Sequence, residues 1–371
     1  MEKFRFIEIN YYHHAEFNLP EQVITKHRPS NLYLSEFAQH AQVTLLKHLD
    51  HEGTLQQGEL EYSFFKSKNS FFHVPVKTHR FIKQCSPDIV LVQGFIFPWQ
   101  VMALRRILGK KPKILLQHHG EVPFRKKRIF QWLMSSKVNG WLFSSRENAK
   151  EWIRAGIINE RQPCFAIPPA STRFAKKDKV DSRRKLGMDE EPGFLWVGRL
   201  NENKDPFTLL VAFDKFIEMG GQGKLYLIYG EAEMEKAVRQ ILSSRERLAE
   251  RVVLVGKVLY EQMETWYNAS DYLLSTSRRE GGSYAIMEAM ACGCVPIVSE
   301  IPASMELTGQ GKAGLHFPAG DSQKLAEVLK SLSKEKHVGL SQNAMEYFEK
   351  EMSPSAISSK MLAICMTLLN K

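Results

Sequence analysis

Short apolar runs alternate with helix-length segments along the whole of this chain. Residues 4–9, 87–94, 113–117, 141–145 and 165–167 have the composition of buried strands. So do 194–197, 225–229, 252–255, 272–275, 295–298 and the shorter 315–317. Helices are expected between them, among others at 32–49, 99–108 and 146–155. Strands that alternate with helices cannot pair as hairpins, so they form parallel sheets covered on both faces. A chain of 371 residues holds about two such domains. Pro168 and Pro169 stop either kind of element and place the break. The reading is an α/β protein with a Rossmann-like domain over 1–170, a basic linker over 171–190 and a second Rossmann-like domain over 191–350. A last helix within 351–371 has no strand to follow.

One stretch is chemically out of place in this frame. Glu280 and Glu288 sit eight residues apart, and Glu288 is the only charged residue between Gly281 and Ser299. Its small and apolar neighbours predict a turn, a buried helix and the strand 295–298. A lone carboxylate on a buried helix is unfavourable unless a side chain or a ligand satisfies it. Gly281 and Gly282 permit close approach of the backbone, and Ser283 suits a helix N-cap. The first-turn amides and the positive end of the helix dipole suit an anion. Glu288, about five residues into the helix, lies roughly 7 Å from that end. A ligand with phosphates on the amides and a hydroxylated ring on Glu288 fits this spacing, with Glu280 reaching a further hydroxyl. Such a ligand is a nucleotide-sugar.

A second segment agrees with the first. Residues 193–206 predict a buried strand, a loop with Arg199 and Lys204, and a helix capped by Asp205 and opened by Pro206. Two cations at a strand's carboxyl end suit a diphosphate, which Arg binds bidentately. Gly198-Arg199 with Lys204, followed by Glu280 and the run Glu288-Ala289-Met290-Ala291-Cys292-Gly293, resembles the family-4 retaining glycosyltransferases of the GT-B fold. The resemblance is dense from about Phe194 to Leu325 and weaker before that.

The resemblance implies two Rossmann-like domains facing each other across a cleft. The N-terminal domain takes the acceptor, the C-terminal domain takes the nucleotide-sugar, and the last helix crosses back to the N-terminal domain. It implies transfer of a sugar from a nucleotide-diphosphate sugar with retention of configuration, no essential metal and no cofactor besides that donor. By the same resemblance Arg199 and Lys204 hold the diphosphate, Glu280 touches the donor sugar and Glu288 the ribose. Gly198, Gly281, Gly282, Ser283 and Tyr284 belong to the nucleotide-binding elements, and Val258 meets the base through the backbone. His119, after the strand 113–117, lies near the reacting sugar. Two departures stand out. Family members have a Gly-rich loop after the first strand, where this chain has Tyr11-Tyr12-His13-His14 and no glycine before Gly53. Many carry Asn-Gly where this chain has Pro169-Ala170.

The net charge of +10 is concentrated. Between Arg105 and Arg128 nine Lys/Arg face one acid, Glu121. That cluster suits an anionic membrane surface or a lipid-linked acceptor, although at helical spacing its cations near 124–134 fall all round the circumference. A solvated basic face is the plainer alternative. No aromatic-interleaved basic motif accompanies it, so nucleic acid is not expected. Five scattered cysteines, including Cys292-Gly293-Cys294, do not make a zinc site. The N-terminus reads directly into a strand, and no apolar run approaches a membrane span. The expectation is a cytoplasmic protein, peripheral on the inner face of the membrane. Gly309 to Gly314 matches the dinucleotide-binding spacing but precedes a strand instead of joining a strand to a helix. Two other readings stay open: a non-catalytic GT-B binding or scaffold protein, and a GT-B nucleotide-sugar epimerase.

Overall fold

A computed structural model of the chain describes residues 3–17, 19–67, 70, 72–188 and 192–370. The chain divides into two compact units, Met1–Ser171 with Ser353–Lys371, and Thr172–Met352. Each is built on one mainly parallel sheet, as the βα alternation requires.

The first unit carries β1 (Phe4–His13), β2 (Ala41–His48), β3 (Gly53–Gln57), β4 (Leu60–Phe65), β5 (Ile89–Gln93), β6 (Lys113–Gln117), β7 (Gly140–Phe143) and β8 (Cys164–Ala166). They lie in the order β3-β4-β2-β1-β5-β6-β7-β8, parallel except for β3 against β4. The second unit carries β9 (Gly193–Gly198), β10 (Lys224–Tyr229), β11 (Val252–Gly256), β12 (Tyr272–Ser275), β13 (Val295–Ser299) and β14 (Leu315–Phe317). Their order, β11-β10-β9-β12-β13-β14, is the doubly wound 3-2-1-4-5-6 arrangement. The connections reverse direction between β9 and β12, and ligands of open α/β sheets bind at the carboxyl ends of such a pair.

Two expectations for the first unit need correction. The segment 32–49 is not one helix: a helix ends at Phe37 and β2 begins at Ala41. Every β2 residue except Gln42 is buried, since β1 and β4 flank the strand and helices cover it. The segment 50–70, left unassigned by the sequence, holds the β3–β4 hairpin, which turns at Gly58 with φ +59°. Both misreadings concern the β3-β4-β2 side of the sheet.

The basic stretch from Arg173 onward is part of the second unit and not a free linker. Its helix Lys179–Leu186 is tied to Asp271, just before β12, by Lys179 at 2.6 Å and Arg183 at 2.5 Å. Lys177 pairs with Glu264. The last residues expected in that linker, 189–190, lie outside the described residues. The helix Pro354–Leu369 packs Ile357, Met361, Ile364, Cys365 and Leu368 into the first unit's core beside Phe37 and Leu142. The stretch Lys334–Leu369 is long and apolar enough to cross a membrane by composition. It is interrupted at Met352 and Ser353, and its apolar second half is accounted for by this core.

Candidate functional site

In the second unit the loops that follow β9 and β12 meet at the point where strand order reverses. The β9 loop carries Arg199 and Lys204, and the β12 loop carries Glu280. Lys204 Nζ forms an ion pair with Glu280, whose carboxylate also accepts from Ser277 Oγ at 2.7 Å. Two residues 76 positions apart, singled out separately in the sequence, therefore touch. The stem of Lys204 lies across Gly198: a Cβ there would be 3.4 Å from the lysine chain and 3.2 Å from the Trp196 ring. Glycine at this position lets the lysine run flat over the strand end.

The two loops are fastened by four further bonds. Arg278 N donates to Asn203 O at 2.8 Å, and Asn203 Nδ2 donates to Arg279 O at 2.9 Å. Thr276 Oγ1 donates to Lys204 O at 2.8 Å. Arg278 Nη2 lies 2.8 Å from the buried carboxylate of Asp205, which also caps the helix Pro206–Glu218 through Thr208 N at 3.1 Å. Asp205 adopts φ +48°, an unfavourable conformation for a residue with a Cβ, and these bonds hold it there. Asp205 caps the helix as the sequence led one to expect, but its bond to Arg278 and the bond from Thr276 were not foreseen. Arg199 stands in solvent, 62 % exposed, with Glu231 at 3.3 Å.

The helix Tyr284–Ala291 starts where the spacing predicts, with Ser283 at its N-cap and Gly281 and Gly282 before it. The Ser283 hydroxyl makes no capping bond. Tyr284 is exposed at this end. Glu288 is buried, but it has a protein partner: Tyr267 Oη donates to its Oε2 at 2.8 Å, and Tyr260 also bonds to it. Neither tyrosine was foreseen. Burial pushes the Glu288 pKa up to about 7, against the lowering effect of the two hydroxyls. Of the two kinds of partner the sequence left open for Glu288, a side chain is present. The carboxylate is already held in place, with its proton balanced near neutrality. Val258 lies half-buried in the loop after β11, beyond Gly256 at φ +78°.

His119 belongs to the first unit, just after β6. Its Nε2 lies 2.6 Å from Gln93 Oε1 at the end of β5, and its amide donates to Glu121 Oε2 at 2.6 Å. The other oxygen of Glu121 accepts from Phe95 N at 3.0 Å, so one carboxylate ties two adjacent strand-end loops. His118 is buried and its Nε2 lies 2.9 Å from Glu121 O, a structural role. Below them Lys47 and Glu8 form a buried ion pair at 2.7 Å.

The basic cluster of the first unit separates into two parts. Arg105 is locked to the backbone oxygens of Lys137, Gly109 and Pro112 and to Asn139 Oδ1, a structural task. Arg125, Lys126 and Lys127 precede the helix Arg128–Ser135 instead of lying on it. They do not surround the helix, and its exposed face carries Ile129, Trp132 and Leu133.

Residues 178–351, a little under half of the chain, match the family model for Glycosyl transferases group 1. The chain is 25% identical over 256 residues to a GDP-mannose:cellobiosyl-diphosphopolyprenol alpha-mannosyltransferase of Xanthomonas oryzae. That match covers 67% of this chain and 65% of the relative. It is 31% identical over 162 residues to the amylovoran biosynthesis glycosyltransferase AmsK of Erwinia amylovora, over 42% of this chain and 39% of that one. Among solved structures, sucrose-phosphate synthase from Thermosynechococcus elongatus superimposes with a TM-score of 0.76 at 15% identity, covering 99% of each chain. Anabaena HepE in complex with UDP does so with a TM-score of 0.76 at 16% identity, covering 98% of this chain and 100% of that one. The fold shared with them is GT-B, and the resemblance to group 1 glycosyltransferases read from the sequence stands.

Proposed function

We propose that this protein transfers a sugar from a nucleotide-diphosphate sugar to a saccharide or lipid-linked acceptor in polysaccharide or glycoconjugate synthesis. Transfer proceeds with retention of configuration and without an essential metal. The observation that carries this reading is the Lys204–Glu280 pair at the β9/β12 reversal point, beside Arg199 and the start of the helix that holds Glu288. Arg199, Lys204 and the amides near Ser283 meet the diphosphate and stabilise the charge that builds on it as the C1–O bond breaks. Glu280 takes a donor-sugar hydroxyl, and Glu288 accepts from the ribose once deprotonated. The backbone near Val258 meets the base. His119, positioned by Gln93, serves the acceptor side. The departing phosphate takes the acceptor's proton.

The GDP-mannose used by the Xanthomonas oryzae relative makes it the first donor to try, with UDP-sugars next because of the HepE complex. The decisive experiment is a melting-temperature panel of GDP, UDP, ADP and their sugars, with chelator present, on wild type and Glu288→Ala. A bound nucleotide raises the melting temperature by mass action. A shift for one nucleotide class that is lost in Glu288→Ala supports the reading. No shift for any nucleotide favours the non-catalytic GT-B alternative. NMR of the product's anomeric centre then tests retention.

The membrane is the expected place of work, on its cytoplasmic side. Ile129 and Trp132 are 54 % and 51 % exposed beside Arg125, Lys126 and Lys127. Apolar side chains with cations next to them suit an anionic bilayer surface. Co-sedimentation with phosphatidylglycerol-containing vesicles, weak with phosphatidylcholine alone and lost in Ile129→Asp/Trp132→Asp, would support this. Equal recovery of wild type and variant would exclude it.

A further inference from the structure

Glu280 is held by two groups of different kinds. Lys204 Nζ pairs with its Oε1, and Ser277 Oγ donates to the same oxygen at 2.7 Å. Its other oxygen, Oε2, takes no hydrogen bond from the described residues, and it is not sealed off from solvent. One carboxylate oxygen is committed to the protein and the other is left for what enters the site.

Ser277 is itself fixed. It is buried, two residues beyond the end of β12. Ser299, the last residue of β13, donates from its buried hydroxyl to Ser277 O at 2.5 Å. The adjoining Thr276 donates to Lys204 O and accepts from Trp196 Nε1 at 3.3 Å. The backbone that carries Ser277 is therefore tied to β13 on one side and to β9 and its loop on the other. Among the described residues the Ser277 hydroxyl has one partner, the Glu280 carboxylate three residues on. A hydroxyl on an ionised carboxylate is a charge-assisted bond, the stronger class.

The two holders are not equivalent. Lys204 ends a flexible four-carbon stem, and in the proposed function it also meets the diphosphate. An ammonium drawn toward phosphate loosens its hold on Glu280. Ser277 is neutral and buried, so a phosphate exerts no such pull on it. We infer that Ser277 is a positioning residue of the donor site: it fixes Glu280 so that Oε2 faces the bound sugar whether or not Lys204 is engaged by the diphosphate. The inference rests on the glycosyl-transfer reading and deepens it. Ser277 touches no ligand and acts through Glu280. Without its hydroxyl, Glu280 turns with Lys204 when the diphosphate binds. The sugar then loses its acceptor, while the nucleoside and phosphates keep theirs.

The test compares nucleotide-sugar with free nucleotide. Titration calorimetry gives the affinities of GDP-mannose and GDP, and of UDP-glucose and UDP, for wild type, Ser277→Ala, Glu280→Ala and the double variant. In the pair that binds, Ser277→Ala should weaken the nucleotide-sugar by about three- to tenfold and leave the free nucleotide within about twofold. Ser277→Cys, which replaces the hydroxyl by a weak donor, should behave in the same way. In the Glu280→Ala background the loss of Ser277 should change nothing further, since no carboxylate remains to be positioned. A serine that only held the loop together would weaken sugar and nucleotide alike, in both backgrounds. That result, or a nucleotide-sugar affinity unchanged in Ser277→Ala, overturns the proposal. If wild type binds none of the four probes, the donor reading falls and the inference falls with it. If nucleotide binds and the preference for the sugar survives in Ser277→Ala, the donor reading stands and the role of Ser277 alone is refuted.

Discussion

The two units apply one topological plan but bury their charges to different depths. In each, strand order reverses beside the first strand of the sheet, at β1/β5 in one and β9/β12 in the other. At β9/β12 the charges are partly open to solvent: Arg199 is exposed, and Lys204 and Glu280 are 20 % and 11 % exposed. Near β1/β5 they are sunk, with Glu8 and Lys47 4 % and 2 % exposed. Burial lowers the pKa of His48 and of His79 to about 4 each, and Tyr11 Oη lies 2.8 Å from His79 Nε2. One reversal point leaves its charged groups within reach of solvent, the other buries them.

The largest expected effect tests the sunken side. Lys47→Ala leaves Glu8 buried without a countercharge, a loss of about 3–5 kcal/mol of stability. Denaturant titration checks it, and Lys47→Met/Glu8→Leu should recover most of the loss. If Lys47→Ala is neutral, the first unit's charges are not structural and the contrast fails. Arg199→Ala tests the open side. It should lower kcat by about 10²–10³, near 3–4 kcal/mol, with melting temperature unchanged because Arg199 is exposed. Undiminished turnover would remove Arg199 from the mechanism.

The pH response sharpens the comparison, because the two units move in opposite directions. The folded pKa of Glu288 is raised from 4.5 to about 7. Its contribution to stability is full below the unfolded value and is lost as pH rises through 7. Glu288→Gln should therefore stabilise the protein at pH 8 by about 2–3 kcal/mol and do nothing at pH 4.5. His48 and His79 are depressed from 6.5 to about 4. Their contribution is present above 6.5 and lost as pH falls toward 4. Hydrogen exchange at pH 7 and pH 5 should show the first unit's strands opening more readily at the lower pH. Uniform change across both units would refute the assignment. The smallest effect belongs to Glu231→Ala: an exposed pair at 3.3 Å contributes less than about 1 kcal/mol, so thermal melts should barely move.

The sequence is most readable where chemistry and periodicity coincide. Gly198, Lys204, Glu280 and Ser283 were legible because each stands in a loop or helix start that follows a recognisable buried strand, and the structure brings Gly198, Lys204 and Glu280 together. The partners of Glu288 were not. Tyr267 lies on a different helix and is indistinguishable from a core aromatic until the fold places its hydroxyl. β2 was hidden for another reason. Residues 38–40 contain neither Gly nor Pro, so nothing in the sequence marks the change from helix to strand. The alternation of Leu60, Tyr62 and Phe64 was an available signal for β4, but the exposed β3 beside it offers almost none.

The helix Pro354–Leu369 also fixes an order of events during synthesis. Its apolar residues fill the first unit's core, yet they leave the ribosome only after the whole of Thr172–Met352. At 5–20 residues per second that interval is roughly 10–40 s. Throughout it, the surface around Phe37 and Leu142 lacks the helix that completes it, whereas the second unit has every residue it needs once Met352 is made. Translation rate and chaperone supply should therefore govern the yield of the first unit far more than that of the second.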